Sequence, residues 1–282
     1  MTLVFQDSSL PLAVFVWDVE NCGDEEVEVT IMFTMRNGSG TKTDRAGGHW
    51  NEPFCHQGGE EETTSGVLLH HCTAINPFTL GIAVRHTPGS RASHCTEFDP
   101  CGMGQEIWRD LLEDGHLDSK PGRSSPTGKG RKVAAAVAAG GAVPAGGRRG
   151  LEFSLCWDMP RVRFGSKQRE YCRRYTRFFG SQEDAAVALC HYGLSHYEEW
   201  ERMIEAWQDP ILTNTLLPTW YKSALFNELY FMADGGTVWL EVSDDACSSD
   251  CLLQIGQKEL PGMKSLLQEY GRFAYLGRFL LA

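Results

Sequence analysis

With 282 residues, the chain has room for one large domain or two ordinary ones; apolar residues at 42% and aromatics at 11% supply a sizeable core and exclude a disordered chain. The formal net charge of -11 argues against a nucleic-acid binder, because phosphate contact needs a basic face. The start, MTLVFQDSSLPLAVFVWDVEN, lacks the pattern of a secretory signal, no stretch of ~18 apolar residues predicts a membrane span, and 10 cysteines without a signal suggest reduced thiols in a cytosolic setting.

In chain order, Ala13 to Val19 is a mostly apolar run containing Phe15 and Trp17. From Glu26 to Thr34, Val27, Val29, Ile31 and Phe33 alternate with Glu28, Thr30, Met32 and Thr34. That period of two turns one face inward, so strands are predicted across 12–34. Gly66 to His70 and Thr79 to Arg85 are further strand candidates, separated by polar, Gly-rich stretches such as Asn37 to Gly48. The pattern predicts an antiparallel sandwich. Residues 119–150 break it: KGRKVAAAVAAGGAVPAGGRRG is low in complexity. Lys120, Arg123, Lys129, Arg131, Lys132, Arg148 and Arg149 have no acid among them. One reading is a basic loop that visits an anionic membrane surface. The other, which composition favours, is a flexible insertion between two strands. Strand signals resume at Phe153 to Trp157 and at Tyr171 to Phe178, predicting strands across 151–179.

Near Ser181 the period changes. Ser181 and Asp184 form a capping-box pattern that opens a helix predicted over 182–207. Leu189, Tyr197, Trp200, Ile204 and Trp207 recur on a helical face, and Asp209-Pro210 ends or interrupts it. Pro218 suits the first turn of a helix predicted over 219–232, with Gly235 and Gly236 as terminators. Thr237 to Val242 reads as β, and Pro261 to Tyr270 as helix again. The order is sheet first and helices second, with a boundary near residue 180.

Among possible metal ligands, His94, Cys95 and Cys101 stand closest in sequence, but the CxxC pairs of a structural zinc site are missing. No metal and no other cofactor is expected, and the cysteines read as small buried hydrophobes plus a few surface thiols.

The segment WYKSALFNELYFMADGGT, residues 220–237, carries the chemistry. On a helix, Glu228 has Leu225 three and Ala224 four residues behind it, with Tyr221 two turns back. A carboxylate on such a face is costly to bury unless it has a partner or a task. Asn227 beside it can hydrogen-bond a sugar hydroxyl. Glu228 pointing into solvent is the ordinary alternative for a helix glutamate. Asp234 reads equally as the polar end of a helix, and Trp220 as core or as a platform for a sugar ring.

The run SALFNELYFMADGGTVWLEV at 223–242 resembles the nucleophile region of glycoside hydrolase family 116. LPLAVFVWDVEN at 10–21, IMFTMRNG at 31–38, WNEPFC at 50–55, LEFSLCWDMPRVRFG at 151–165 and RRYTRFFG at 173–180 resemble the N-terminal domain of that family. The likeness continues to YGRF at 270–273 and is weakest over 119–150. It implies a multidomain β + α protein: an antiparallel β-sandwich over 1–180, then the first part of an (α/α)6 barrel over 181–282. It implies a retaining β-glucosidase with Glu228 as nucleophile and Asn227, Asp234 and Trp220 near the substrate. For vertebrate-like members it implies hydrolysis of glucosylceramide to glucose and ceramide, and peripheral association with the cytosolic side of endoplasmic reticulum and Golgi membranes.

The sequence departs from that family in two respects. In the family the acid/base is an aspartate well downstream of the nucleophile, and no residue here matches it. A complete (α/α)6 barrel with helices of ~11 residues and connections of ~5 needs about 200 residues, more than follow residue 180. The expectation is a partial chain with little activity of its own. The alternative to an enzyme is a non-catalytic β-sandwich module that binds carbohydrate or protein partners.

Overall fold

The computed structural model describes residues 7, 9–59, 62–73, 77–118, 122–164, 169–182, 185–228 and 239–241. Six strands come first: β1 (Leu12–Glu20), β2 (Val27–Asn37), β3 (Trp50–Gln57), β4 (Thr63–His71), β5 (Phe78–Arg85) and β6 (Arg91–Phe98). Helix α1 (Gln105–Asp114) precedes β7 (Val133–Val143), β8 (Arg148–Asp158), β9 (Arg161–Phe164) and β10 (Arg169–Cys172). A single helical turn α2 (Thr176–Phe179) then leads to α3 (Ala185–Leu212) and α4 (Thr219–Glu228).

The alternating sequences close into two antiparallel sheets, a five-stranded one in the order β1-β8-β5-β4-β3 and a three-stranded one in the order β2-β7-β6. Val67, Leu69, Ile82, Val84, Leu151 and Phe153 line the inner face of the larger sheet and pack on Ala135, Val137 and Ala139 of β7. Phe33 on β2 reaches across, with its ring centroid 5.5 Å from Phe15 and 6.3 Å from Phe153.

The stretch 119–150 is not an insertion between strands. Val133 to Val143 is the central strand of the smaller sheet, paired along its length with β2 and over much of it with β6. Its other face lies under α1, where Ala136 and Ala138 meet Ile107, Leu111 and Leu117. A strand covered on both faces reads as a continuous small apolar run rather than as an alternation. The alanines let helix and sheets approach, and at Gly140 a Cβ would collide with the Thr30 hydroxyl. Low complexity here is the signature of a crowded centre.

Helix α3 covers the outer face of the larger sheet. Gly193 lies where a Cβ would be 2.8 Å from Leu12 Cδ1, and the Cys156 thiol donates to the Ala186 carbonyl at 3.3 Å. The predicted helix starts later than Ser181, at Ala185, and runs through Pro210 to Leu212. Pro210 sits in the last turn, where its missing N–H costs one bond at a fraying end. Asp184 lies outside the described residues. The strand predicted to 179 stops at Cys172, and 176–179 form α2 instead. Strands β3 and β6 and helix α1 were not foreseen from periodicity.

Met1–Pro11, Pro160–Ser181 and Met232–Ala282 group as a separate unit, of which 7, 9–11, 160–164, 169–181 and 239–241 are described. Its β9–β10 hairpin is held by Glu170, which takes Arg161 and Arg163. Leu240 bridges Arg173, and Glu241 pairs with Arg174 and Arg177. The β reading of 237–242 is met at Leu240; residues 237, 238 and 242 lie outside the described residues, as do Gly235, Gly236 and 261–270.

Candidate functional site

Helix α4 begins after Pro218, whose carbonyl accepts the N–H groups of Tyr221 at 3.0 Å and Lys222 at 3.2 Å. Proline is suited to this place, because its own N–H would be unpaired in a first turn. Phe226 meets Trp207 of α3 edge to face at 5.4 Å, so an aromatic contact fixes one helix on the other. Glu228 is the last residue of α4, one helical turn beyond Ala224. The helix therefore carries Glu228 on the face that also holds Ala224, Leu225 and Tyr221. Trp220 is 71% exposed and packs edge to face with Tyr221 at 5.6 Å. The side chains of Asn227 and Glu228 and all of Asp234 lie outside what the structure describes.

The proposed ligand set of His94, Cys95 and Cys101 is not brought together as a metal-binding group. Cys95 donates to the Glu97 carbonyl, and Cys101 is exposed in the turn after β6. Among the described residues, the ligand-type side chains that do converge are Asp44, His49 and His71. His71 Nε2 is 3.5 Å and His49 Nε2 3.9 Å from Asp44 Oδ2, and the two rings stack at 4.5 Å. Sequence spacing hides this group, since His71 lies on a different strand from the loop that carries the other two.

Hydrogen bonding shows what the group does. His49 Nδ1 accepts the Cys72 N–H at 3.1 Å, so the ring keeps its proton on Nε2, which points to the Asp44 carbonyl at 3.3 Å. A metal at that Nε2 would need the opposite tautomer, with a proton forced against Cys72 N–H. The group is thus a hydrogen-bonded clamp that ties the 38–49 loop to the end of β4. Burial alone would push the Asp44 carboxyl up, but the bonds from Ser39 and the flanking imidazoles hold it below the usual carboxylate range. Burial, helped by His49 and opposed by Asp44, pushes His71 down. Asn37 extends the clamp, donating to Asn51 Oδ1 and to the His70 carbonyl, each at 3.0 Å.

A second polar group seats α3 on the sheet. Arg85 on β5 reaches Glu152 of β8 at 3.2 Å and the Leu194 carbonyl at 3.1 Å. Tyr197 bonds Glu152 from α3; burial first, and then that carboxylate, push its hydroxyl up to about 12. His191 bonds Thr64 at 3.1 Å and lies 4.5 Å from the ring of His56.

Two facing antiparallel sheets, a helix across one outer face and a second helix bearing aromatics and a terminal glutamate define a β-sandwich protein with an appended helical segment. The family model described as beta-glucosidase 2, glycosyl-hydrolase family 116 N-term, matches residues 3–200. The chain belongs to glycosyl hydrolase family 116, and the match takes in the whole sandwich and the first half of α3. The family is one of β-glucosidases, so the general class is a glycoside hydrolase. Helix α4 and Glu228 lie beyond the matched residues.

Proposed function

We propose that this chain carries the nucleophile of a retaining β-glucosidase, with Glu228 attacking the anomeric carbon and glucosylceramide as the substrate. The observation that carries the reading is the N-E-L-Y sequence at 227–230, whose first two residues end α4, in a chain whose residues 3–200 match the family 116 N-terminal model. In this reading 1–180 is the sandwich domain and 181–282 opens an (α/α)6 catalytic domain. A retaining mechanism sets two carboxyl groups about 5 to 5.5 Å apart. One bonds to the sugar; the other protonates the leaving oxygen and then activates water. Glu228 takes the first role, and no residue of this chain is assigned the second. Asn227 and Asp234 hold sugar hydroxyls, and the exposed Trp220 ring offers a face for the pyranose. The protein works peripherally on the cytosolic side of endoplasmic reticulum and Golgi membranes, resembling non-lysosomal glucosylceramidase. No described helix is long and apolar enough to cross a membrane.

A 2-deoxy-2-fluoro-β-glucoside with an activated leaving group tests the nucleophile separately from the acid, since departure of such a group needs little protonation. The expected result is a glucosyl adduct on Glu228, absent in Glu228→Gln. An adduct on another carboxylate, or one that persists in Glu228→Gln, would overturn the assignment. Sugar binding without any adduct would favour a carbohydrate-binding module.

A further inference from the structure

We propose that two interlocked loops, residues 38–48 and 127–132, form a cationic face that docks this protein on an anionic phospholipid bilayer. The inference deepens the peripheral-membrane reading above by assigning the surface that makes the contact. Arg36, Lys42, Arg45, Lys129 and Arg131 are exposed and Lys132 is half-buried. Far apart in sequence, they are brought together by backbone bonds. Gly130 N–H donates to the Arg45 carbonyl at 2.9 Å, and Gly48 N–H to that of Thr127 at 2.8 Å. Gly47, with φ of 80°, packs directly on the backbone of Thr127 and Gly128. Lys132 Cε lies 3.1 Å from where a Cβ on Gly40 would stand, and Arg36 heads the strand pair beside it, opposite Ala134.

Many arginines elsewhere are neutralised by pairing, although among the described residues Arg109, Arg123, Arg149, Arg202 and Lys222 outside this face form no ion pair. Arg85, Arg91, Arg148, Arg161, Arg163, Arg174 and Arg177 each have a carboxylate within 4.0 Å. Among the described residues, none of the six cations on the loop face forms an ion pair. The single acid in the two loops, Asp44, is 2% exposed and is engaged in the clamp with His49 and His71. The clamp therefore does two things: it braces the loop and takes its only negative charge out of the surface. Like charges gathered without counter-charges repel one another, and an anionic partner would relieve that repulsion.

A bilayer fits better than a nucleic acid. Neither loop carries an exposed aromatic ring on which a base could stack, since the ring of His49 is buried. The chain as a whole is at -11 despite this face. A flexible polyanion that wrapped further would meet an acidic body, whereas a flat anionic surface meets only the basic end. Each Lys or Arg held at an anionic lipid surface strengthens partition about fivefold.

The test is partition of the whole chain onto vesicles of phosphatidylcholine alone and of phosphatidylcholine mixed with phosphatidylserine, at low and high salt. Binding to the anionic vesicles only, weakened by salt, is expected. Lys129→Gln with Arg131→Gln and Lys132→Gln should lower it about a hundredfold, and Lys42→Gln with Arg45→Gln about twentyfold. Should one set fail to fold, the other decides. Arg91→Gln with Arg148→Gln, which removes cations already paired, should change it little. Equal binding to both vesicle types would overturn the proposal. So would wild-type affinity in a folded loop variant, or tighter binding to RNA than to anionic vesicles. Glu228→Gln should leave partition unchanged, so failure of the glucosidase reading and failure of this one are separable.

Discussion

The two faces of the five-stranded sheet are packed by different chemistry. Inward, Val67, Leu69, Ile82, Val84, Leu151 and Phe153 meet the alanines and valine of β7, and the layer holds by area removed from water and by dispersion. Outward, beneath α3, lie two thiols, a histidine bonded to a threonine, and the Arg85–Glu152–Tyr197 group. An apolar layer specifies closeness but tolerates shifts, whereas directional bonds to β4, β5 and β8 hold α3 in one setting. That setting also positions Trp207 of α3, against which Phe226 of α4 packs.

If the inner face is the main source of stability, the largest loss should come from it. Phe153 is 1% exposed and touches Phe33 across the sandwich. Phe153→Ala should cost about 3 to 5 kcal/mol through lost transfer energy and an unfilled cavity, read as a lower urea midpoint with unchanged slope. A cost under about 1 kcal/mol would mean the centre collapses around the gap, contrary to a tightly packed layer.

The outer face is tested next at Gly81. A Cβ there would lie 2.8 Å from the sulfurs of both Cys156 and Cys190. Neither thiol is free to yield, since both are buried between helix and sheet. Gly81→Ala should cost about 1 to 3 kcal/mol by overpacking. Cys190→Ala in the same chain should return part of that loss, a coupling that a double-mutant cycle measures. Additive losses would show that the helix simply lifts away.

How much of this could be read beforehand depends on which chemistry specified it. Strands β1, β2, β4 and β5 were legible because one face of each alternates or is plainly apolar. Strand β7 was not, because burial on both sides erases alternation and leaves only alanine, glycine and valine. Strands β3 and β6 carry polar residues such as Asn51 and Thr96, which are buried with hydrogen bonds and so look like loop residues in sequence. The Asp44–His49–His71 clamp depends on a fold-level meeting of loop and strand that no local spacing announces. For the candidate nucleophile, the helix was legible from Pro218 and the run that follows, and the family from motifs spread over the sandwich. The role proposed for Glu228 rests on resemblance, since the residue pattern alone favoured a glutamate turned to solvent.

A smaller effect is expected from the directional bonds themselves. Tyr197→Phe removes the hydroxyl from Glu152 but leaves Arg85 in place, so a partly wet hydrogen bond is lost without stranding a charge. About 0.5 to 1.5 kcal/mol is expected. A thermal or urea comparison with Glu152→Gln would show whether the tyrosine or the arginine holds the helix. No loss in Tyr197→Phe would transfer the role to the Arg85 bond to Leu194.

The smallest effect is the one that distinguishes the faces by pH. Burial pushes His191 down from its ordinary value of 6.5, with the charges of His56 and Arg85 acting the same way and Glu62 opposing. Burial also lowers His71, His86 and His94. Each is therefore held neutral in the folded chain at pH values where the unfolded chain already binds a proton. Stability is complete above about pH 6.5 and falls as pH drops through the depressed folded values, because the unfolded state takes up protons that the folded state refuses. Urea midpoints at about pH 7.5 and about pH 5.5 should differ in that direction. His191→Gln keeps a group able to bond Thr64 but removes the titration, so it should narrow the difference. Phe153→Leu, on the apolar face, should lower both midpoints alike and leave the difference as it was. A wild-type difference that His191→Gln leaves intact would move the acid sensitivity to the other buried histidines and remove the outer face as its source.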